Sequence, residues 1–250
     1  MPVASAPVRR CRRTGGWLAA ALLSATLSPG AVQAQGGVRI TSHGHSALLI
    51  EGGGARVLLN PFRAVGCAAG LAEPRVSADV ILASSLLKDE GAAVARGRFL
   101  SKPGSYQVAG LRIEGIGLPH DRVEGRRFGQ ATVWRWRQGG LDFAHLGGTA
   151  GTVSAADKVL LGRPDVLIIG VGGGAKVYTG AEAAAVVKDL NPRRVIPVQF
   201  TRSGPAPSSC DQGGLQPFLD ALGSPTVRQA GSTLSLTPPL GDGLVVEVMR

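Results

Sequence analysis

The stretch between residues 165 and 200 restricts the fold of this 250-residue chain more than any other. Asp165 to Val171 is an unbroken apolar run closed by Gly172-Gly173-Gly174. Thr179-Gly180 then opens an Ala-rich helix over Ala181 to Leu190, and Val195 to Phe200 is a second apolar run. Strands that are apolar at every position must be covered on both faces, unlike strands that alternate. A strand-helix-strand order built from them calls for parallel pairing, on a sheet with helices packed against it.

The first half follows a different rhythm. Val38 to Thr41, Ser46 to Glu51 and Arg56 to Leu59 read as short strands, separated by His43-Gly44-His45 and Gly52-Gly53-Gly54 in the manner of a meander. Asp79 to Ser84 is a short buried strand, and Leu87 to Arg96 reads as a short helix. Tyr106 to Ile116 alternates around Ala109-Gly110. In Thr132 to His145, Thr132, Trp134 and Trp136 share one face, Val133, Arg135 and Arg137 the other, and Gly139-Gly140 turns the chain. Farther on, Gly213 to Leu222 reads as a helix, Thr233 to Leu236 and Leu244 to Val248 as strands, and residues 201–214 as a loop. With 37 glycines and only 4% aromatic residues, tight-turned β-structure is favoured over a helical bundle. Periodicity alone leads to a mixed α/β domain.

Residues 1–34 are set apart as a signal peptide. Arg9, Arg10, Arg12 and Arg13 precede an apolar run from Trp17 to Leu27, and Ala31-Val32-Gln33-Ala34 offers a cleavage site, so the mature domain is expected over 35–250, starting at Gln35. The apolar run is too short to span a core of about 30 Å, so no transmembrane segment is expected after signal removal. Export follows, to a periplasmic or extracellular location, with Arg12-Arg13 leaving the twin-arginine route open. The formal charge of +10 includes those four arginines and none of the acids, which leaves +6 on the mature domain. Its basic residues are scattered, so no nucleic-acid partner is expected. Removal of the signal also removes Cys11. Cys67 and Cys210 then form either one disulfide or two separate buried thiols.

Several segments, in order, resemble the metallo-β-lactamase superfamily, in particular its ascorbate-6-phosphate lactonase-like branch of metal-dependent hydrolases. They are Gly44-His45-Ser46, Val57-Leu58-Leu59-Asn60-Pro61-Phe62, His120-Asp121 with Gly125-Arg126-Arg127-Phe128-Gly129, His145-Leu146-Gly147-Gly148, Tyr178-Thr179 and Val195-Ile196-Pro197-Val198. The resemblance implies a four-layer αβ/βα sandwich of two mixed β-sheets, with a site at the strand ends. In the family that site is made by a His-x-His-x-Asp-His motif, a later His, a bridging Asp and a final His. Here Ser85, Leu87 and Glu90 stand for the motif's histidines, and Asp89 and His120 are kept. Gly148 replaces the bridging aspartate, Gln199 the final histidine, and Asn60 the aspartate before Pro-Phe.

A structural zinc site is worth about 10–16 kcal/mol through about four ligands, so each ligand carries a few kcal/mol. Glycine and leucine donate nothing, and serine and glutamine are poor ligands. The expectation is therefore a degenerate site and no metal cofactor, in an exported protein that binds a small anionic ligand or a protein partner, or is structural. The alternative is a mononuclear zinc hydrolase of an ester, lactone or phosphoester, with Asp89, Glu90 and His120 as ligands. An accessory subunit of an intact homologue is a third reading. His45 and His145 join the remnant pocket in each case. Without metal, Asp89 needs a cation, for which Arg202 is the first candidate and protonated His120 the second. No Gly-x-Ser-x-Gly elbow is present, Gly172-Gly173-Gly174 lacks the Lys-Ser/Thr of a phosphate loop, and Cys67 has no activating base.

Overall fold

A computed structural model of the chain describes residues 36–202 and 206–250, together with the single residue Ala4. The expected signal segment and mature start at Gln35 lie, Ala4 apart, outside the described residues. The strands are β1 (Val38–Ser42), β2 (Leu48–Gly52), β3 (Ala55–Leu59), β4 (Ser77–Leu82), β5 (Arg96–Leu100), β6 (Gly104–Val108) and β7 (Leu111–Pro119). There follow β8 (Gln130–Gln138), β9 (Leu141–Leu146), β10 (Val166–Gly170), β11 (Arg194–Val198), β12 (Thr226–Gly231), β13 (Thr233–Leu236) and β14 (Val245–Met249). The helices are α1 (Ala155–Leu161), α2 (Gly180–Leu190) and α3 (Gln216–Leu222). None of these is long and apolar enough to cross a membrane.

Two mixed sheets form. One has the order β13-β1-β2-β3-β4-β5 and the other β12-β14-β11-β10-β9-β8-β7-β6. The meander pairs antiparallel, and β10 lies parallel to both β9 and β11, as its continuous apolar sequence demands. Between the sheets sit Ile40, Ile50, Val57 and Leu82 from one side, and Trp134, Trp136, Phe143 and Ile168 from the other. The opposite face of the larger sheet, with Val133, Leu146, Leu167 and Val195, is buried against all three helices. Val133 thus faces helices rather than water, while its neighbours Arg135 and Arg137 on that face are exposed.

Buried polar groups join the sheets where apolar packing cannot fix register. Gln138 Nε2 donates to the carbonyls of Ile50, Gly52 and Ala55 at 3.3, 3.0 and 2.9 Å. Its Oε1 accepts from Trp136 Nε1 at 3.1 Å, and Trp134 Nε1 donates to Ala83 O across the sandwich. The Gly139-Gly140 turn beside them needs glycine for a second reason besides its positive φ: a Cβ on Gly139 would lie 2.2 Å from Gly37 O.

The structure corrects the sequence at the segment after β4. Leu87 to Arg96 is a tight turn and extended chain, not a helix. Glu90 and Gly91 both donate to Leu87 O, Ala92 N donates to Pro61 O at 2.8 Å, and Arg96 already enters β5. Tertiary hydrogen bonds take the amides that a helix would use. Helix α3 begins at Gln216 rather than Gly213, and α1, β5 and β12 are elements the sequence pattern did not separate from loops.

The open question over the cysteines is resolved by geometry. Cys67, in a short 3-10 turn (Gly66–Ala68) after β3, is bonded to Cys210 with Cα atoms 4.4 Å apart. The bond closes a loop between residues 143 apart in sequence, a constraint on the unfolded chain worth about 2–5 kcal/mol. Replacing both cysteines by serine is expected to lower the unfolding free energy by that amount, read as a lower urea midpoint. An unchanged midpoint would show that the bond does not form in solution.

Candidate functional site at the strand ends

Parallel pairing of β3 with β4, and of β10 with β9 and β11, brings several C-terminal strand ends to one face. Asn60 follows β3, Ser84 to Glu90 follow β4, His120 follows β7, Gly148 follows β9 and Gln199 follows β11. Three of the non-glycine residues here have left-handed backbones: His45 (φ 51°), Asn60 (φ 38°) and Gln199 (φ 52°). Such conformations cost on the order of 1–3 kcal/mol each and collect at functional sites, where the surrounding structure imposes them.

Glu90 is the centre of the arrangement. Its carboxylate is fully buried, 2.8 Å from Nε2 of the equally buried His120. The geometry of this close contact falls short of an aligned hydrogen bond. Ser85 Oγ donates to Oε1 at 2.7 Å, and Gln199 Nε2 donates to Oε2 at 2.8 Å. The Gln199 amide is oriented by its other end, where Oε1 accepts from Gly148 N at 2.7 Å. Gly148 has φ 69°, and a Cβ there would lie 2.5 Å from Glu90 Oε2. Residues 85, 90, 148 and 199 thus form one network, in which each residue satisfies or makes room for another. Burial alone would raise the Glu90 pKa, but His120, the charge of Lys176 and the Ser85 hydroxyl outweigh it and hold the carboxyl at about 2.

Asp89 finds its cation elsewhere than the sequence points. Lys176 Nζ lies 2.9 and 3.2 Å from its two oxygens, and both side chains are largely buried. Neither Arg202 nor His120 takes this place. Arg202 lines a neighbouring cavity, and His120 belongs to Glu90. Lys176 is delivered by the turn after β10, where Ala175 N donates to Asp211 at 2.8 Å. Arg122 clamps the same turn through Gly174 O and Val177 O while pairing with Glu182. Lys176 is the residue that sequence reasoning missed. The signal was its place in a glycine-rich turn at the C-terminal end of a central parallel strand, where ligand-facing residues collect.

His145 stands apart from both acids. Its Nε2 is 3.4 Å from Ser84 Oγ, and Ser84 is bound in turn to Asn60 through Oδ1 at 3.1 Å and Nδ2 at 3.0 Å. All three are fully buried, and His145 Nδ1 has no protein partner to orient it. Without access or an orienting acceptor, this is an interior polar cluster and not a nucleophile with its base. Burial pushes the His145 pKa down to about 3, with Glu90 opposing weakly, so the ring is neutral. Leu87 closes the turn through its backbone, and the His45 carbonyl accepts from Gln199 N at 3.3 Å.

The residues present do not fit a catalytic metal. Asp89 is neutralised by Lys176, and Glu90 has its donors in place, so the three candidate ligands Asp89, Glu90 and His120 do not converge on one empty point. Among the described residues no group of three or more His, Cys, Asp or Glu has a metal-binding arrangement. The expected remnant pocket is in fact closed at its centre: Asn60, Glu90, His120 and His145 have no exposed surface.

Two predictions follow from this geometry. Gly148→Ala is expected to destabilise the fold by about 1–3 kcal/mol through overpacking against Glu90, measured by chemical unfolding. The second concerns pH. His145 and Glu90 both have folded pKa values below their ordinary 6.5 and 4.5, so each adds stability that is complete above its ordinary value and lost as pH falls. The melting temperature should therefore decline from about pH 6.5 toward pH 3 through His145, and further between about pH 4.5 and pH 2 through Glu90. His145→Asn should flatten the upper slope and Glu90→Gln the lower, whatever their absolute stabilities.

Comparison with known proteins agrees with this architecture. A family model described as a beta-lactamase superfamily domain matches residues 39–199. A structure described as a Zn-dependent hydrolase of the metallo-beta-lactamase superfamily from Thermotoga maritima is 24% identical with a TM-score of 0.66, covering 85% of this chain and 100% of that one. A metal-dependent hydrolase from Parabacteroides distasonis is 13% identical with a TM-score of 0.57, over 84% of this chain and 92% of its own. A metallo hydrolase from Ignicoccus hospitalis is 18% identical with a TM-score of 0.53, over 80% and 98%. Among curated proteins none matches the sequence. From β1 through Gln199, by family match and by its two mixed sheets, the chain belongs to the beta-lactamase superfamily and has the metallo-β-lactamase fold.

Proposed function

We propose that this protein is an exported, non-catalytic member of its superfamily, kept as a binding protein, with a hydrogen-bonded carboxylate where its relatives hold metal. One observation carries the reading: Glu90 is buried at the centre of the strand-end face with His120, Ser85 and Gln199 around it and Gly148 making room. A hydrolase of this fold uses metal to lower the pKa of a water and to polarise a carbonyl or phosphoryl group. Here the donors for that metal are either absent or engaged with one another. The motif order supports kinship with the ascorbate-6-phosphate lactonase-like branch, and the residues at its ligand positions support the loss of that branch's ligands. Export is supported by the basic, apolar and small-residue pattern before Gln35, and by a disulfide of the kind that persists in oxidising compartments.

The test uses protein recovered from the exported fraction. Its N-terminus should read at or near Gln35, and an intact Met1 would overturn export. Elemental analysis should find well below one zinc, iron or manganese per chain, and a chelator should leave the melting temperature unchanged, since removing a tightly bound ligand lowers stability by RT ln(1 + [L]/Kd). Stoichiometric metal with a marked drop on chelation would overturn the non-catalytic reading in favour of a mononuclear hydrolase using Asp89, Glu90 and His120.

A further inference from the structure

We infer that the Cys67–Cys210 disulfide is a redox-sensitive lock on the closed centre, which holds Lys176 against Asp89 and releases it on reduction. The inference goes beyond the functional reading above: it concerns how the centre is kept closed, and its test depends neither on export nor on activity.

The disulfide completes a ring of contacts around the ion pair. Cys67 lies in the turn Gly66–Ala68, and a Cβ on Gly66 would come within 3.2 Å of Asp89 Oδ2. Cys210 is followed at once by Asp211, whose Oδ2 accepts from Ala175 N at 2.8 Å. Ala175 precedes Lys176, and Lys176 Nζ returns to Asp89 at 2.9 Å. The ring thus passes through the Gly66 turn, the disulfide, Asp211, Ala175, Lys176 and Asp89. Its fit is close: Gly174 has φ 78°, and a Cβ there would lie 2.5 Å from Asp211 Oδ2.

Asp211 is held from two sides, and only one of them is sensitive to reduction. Beyond it, Thr201 Oγ1 donates to Gln212 O and Gly213 N to Gly172 O, both at 2.6 Å. Before it, among the described residues, segment 206–210 is tied to the Gly66 turn by the disulfide and by a long bond from Ser209 Oγ to Gly66 O at 3.4 Å. Arg122 holds the far side of the lysine turn through Gly174 O and Val177 O. Reduction therefore frees the Asp211 side of that turn and leaves the rest of the fold in place.

The step is a thiol–disulfide exchange with a dithiol reductant. A thiolate of the dithiol attacks one sulfur and expels the other cysteine as thiolate, and the second thiol then resolves the mixed disulfide. Two electrons and two protons pass to the protein, which ends with two free thiols, while the dithiol ends as its own disulfide. Cys67 and Cys210 both keep exposed surface, so the attack has a path. With Lys176 released, Asp89 is a partly buried carboxylate without its cation, which is unfavourable unless a cationic group from solution meets it.

Two readouts test this on the purified protein, oxidised and in excess dithiothreitol. Amide exchange of Ala175 reports its bond to Asp211, and acetylation followed by mass spectrometry reports the accessibility of Lys176. Reduction is expected to speed Ala175 exchange at least about tenfold and to raise Lys176 acetylation toward that of exposed Lys102, while the Ile168 amide in β10 stays protected. Cys67→Ser with Cys210→Ser should show the released state without reductant. Asp211→Ala should show it with the disulfide intact, which separates loss of the link from loss of the cross-link. Equal rates in the two redox states, or a Lys176 still protected in Asp211→Ala, would overturn the inference. Loss of Ile168 protection on reduction would overturn it as well, since the bond would then be a general staple and not a local lock.

Discussion

A carboxylate sealed away from water must be matched by its surroundings, and the strand-end face of this protein is organised around one. Removing a partner from a buried charge costs roughly 3–5 kcal/mol, because the charge stays behind uncompensated. Glu90 has no exposed surface, so the hydroxyl of Ser85, the amide of Gln199 and the imidazole of His120 are tied to it as closely as ligands are to a metal. The missing side chain at Gly148 belongs to the same arrangement, since any Cβ there would enter the space Glu90 fills. Together these residues form a set in which each member requires the others.

The same logic extends outward through Lys176. Asp89 keeps its place in the motif but is paired with an ammonium group of the chain itself, at 2.9 Å. That ammonium depends on a turn held by Arg122 and Asp211, and Arg122 lies two residues beyond His120. The two adjacent acids, Asp89 and Glu90, are therefore met from two directions by connected pieces of structure. The left-handed backbones of His45, Asn60 and Gln199 stand around them at the strand ends.

Local pattern made much of this legible. The alternation of Thr132, Trp134 and Trp136 and the Gly139-Gly140 turn give the β8–β9 hairpin its faces directly, and the apolar runs around α2 give the parallel pairing of β10 and β11. Helix α1 was legible in principle, because Ser154 and Asp157 form a capping box over it. The segment 87–96 misleads for a physical reason: its mix of alanine, leucine and charge suits a helix, but Asp89 and Glu90 are drawn to Lys176 and His120, and Ala92 N bonds to Pro61 O. Long-range partners outweigh a weak local preference.

What the sequence by itself determined was the type of fold, since the apolar runs and turn residues that set it are written in residue order and spacing. Which cation meets Asp89, whether Cys67 reaches Cys210, and whether the substituted positions form an open pocket or a closed network were decided only in three dimensions. Arg202 and Lys176 both carry a cationic side chain, and both follow central parallel strands. Only the course of their loops, fixed by Arg122 and Asp211 for one and by the disulfide-bounded cavity for the other, sends Lys176 to the carboxylate and leaves Arg202 facing open space.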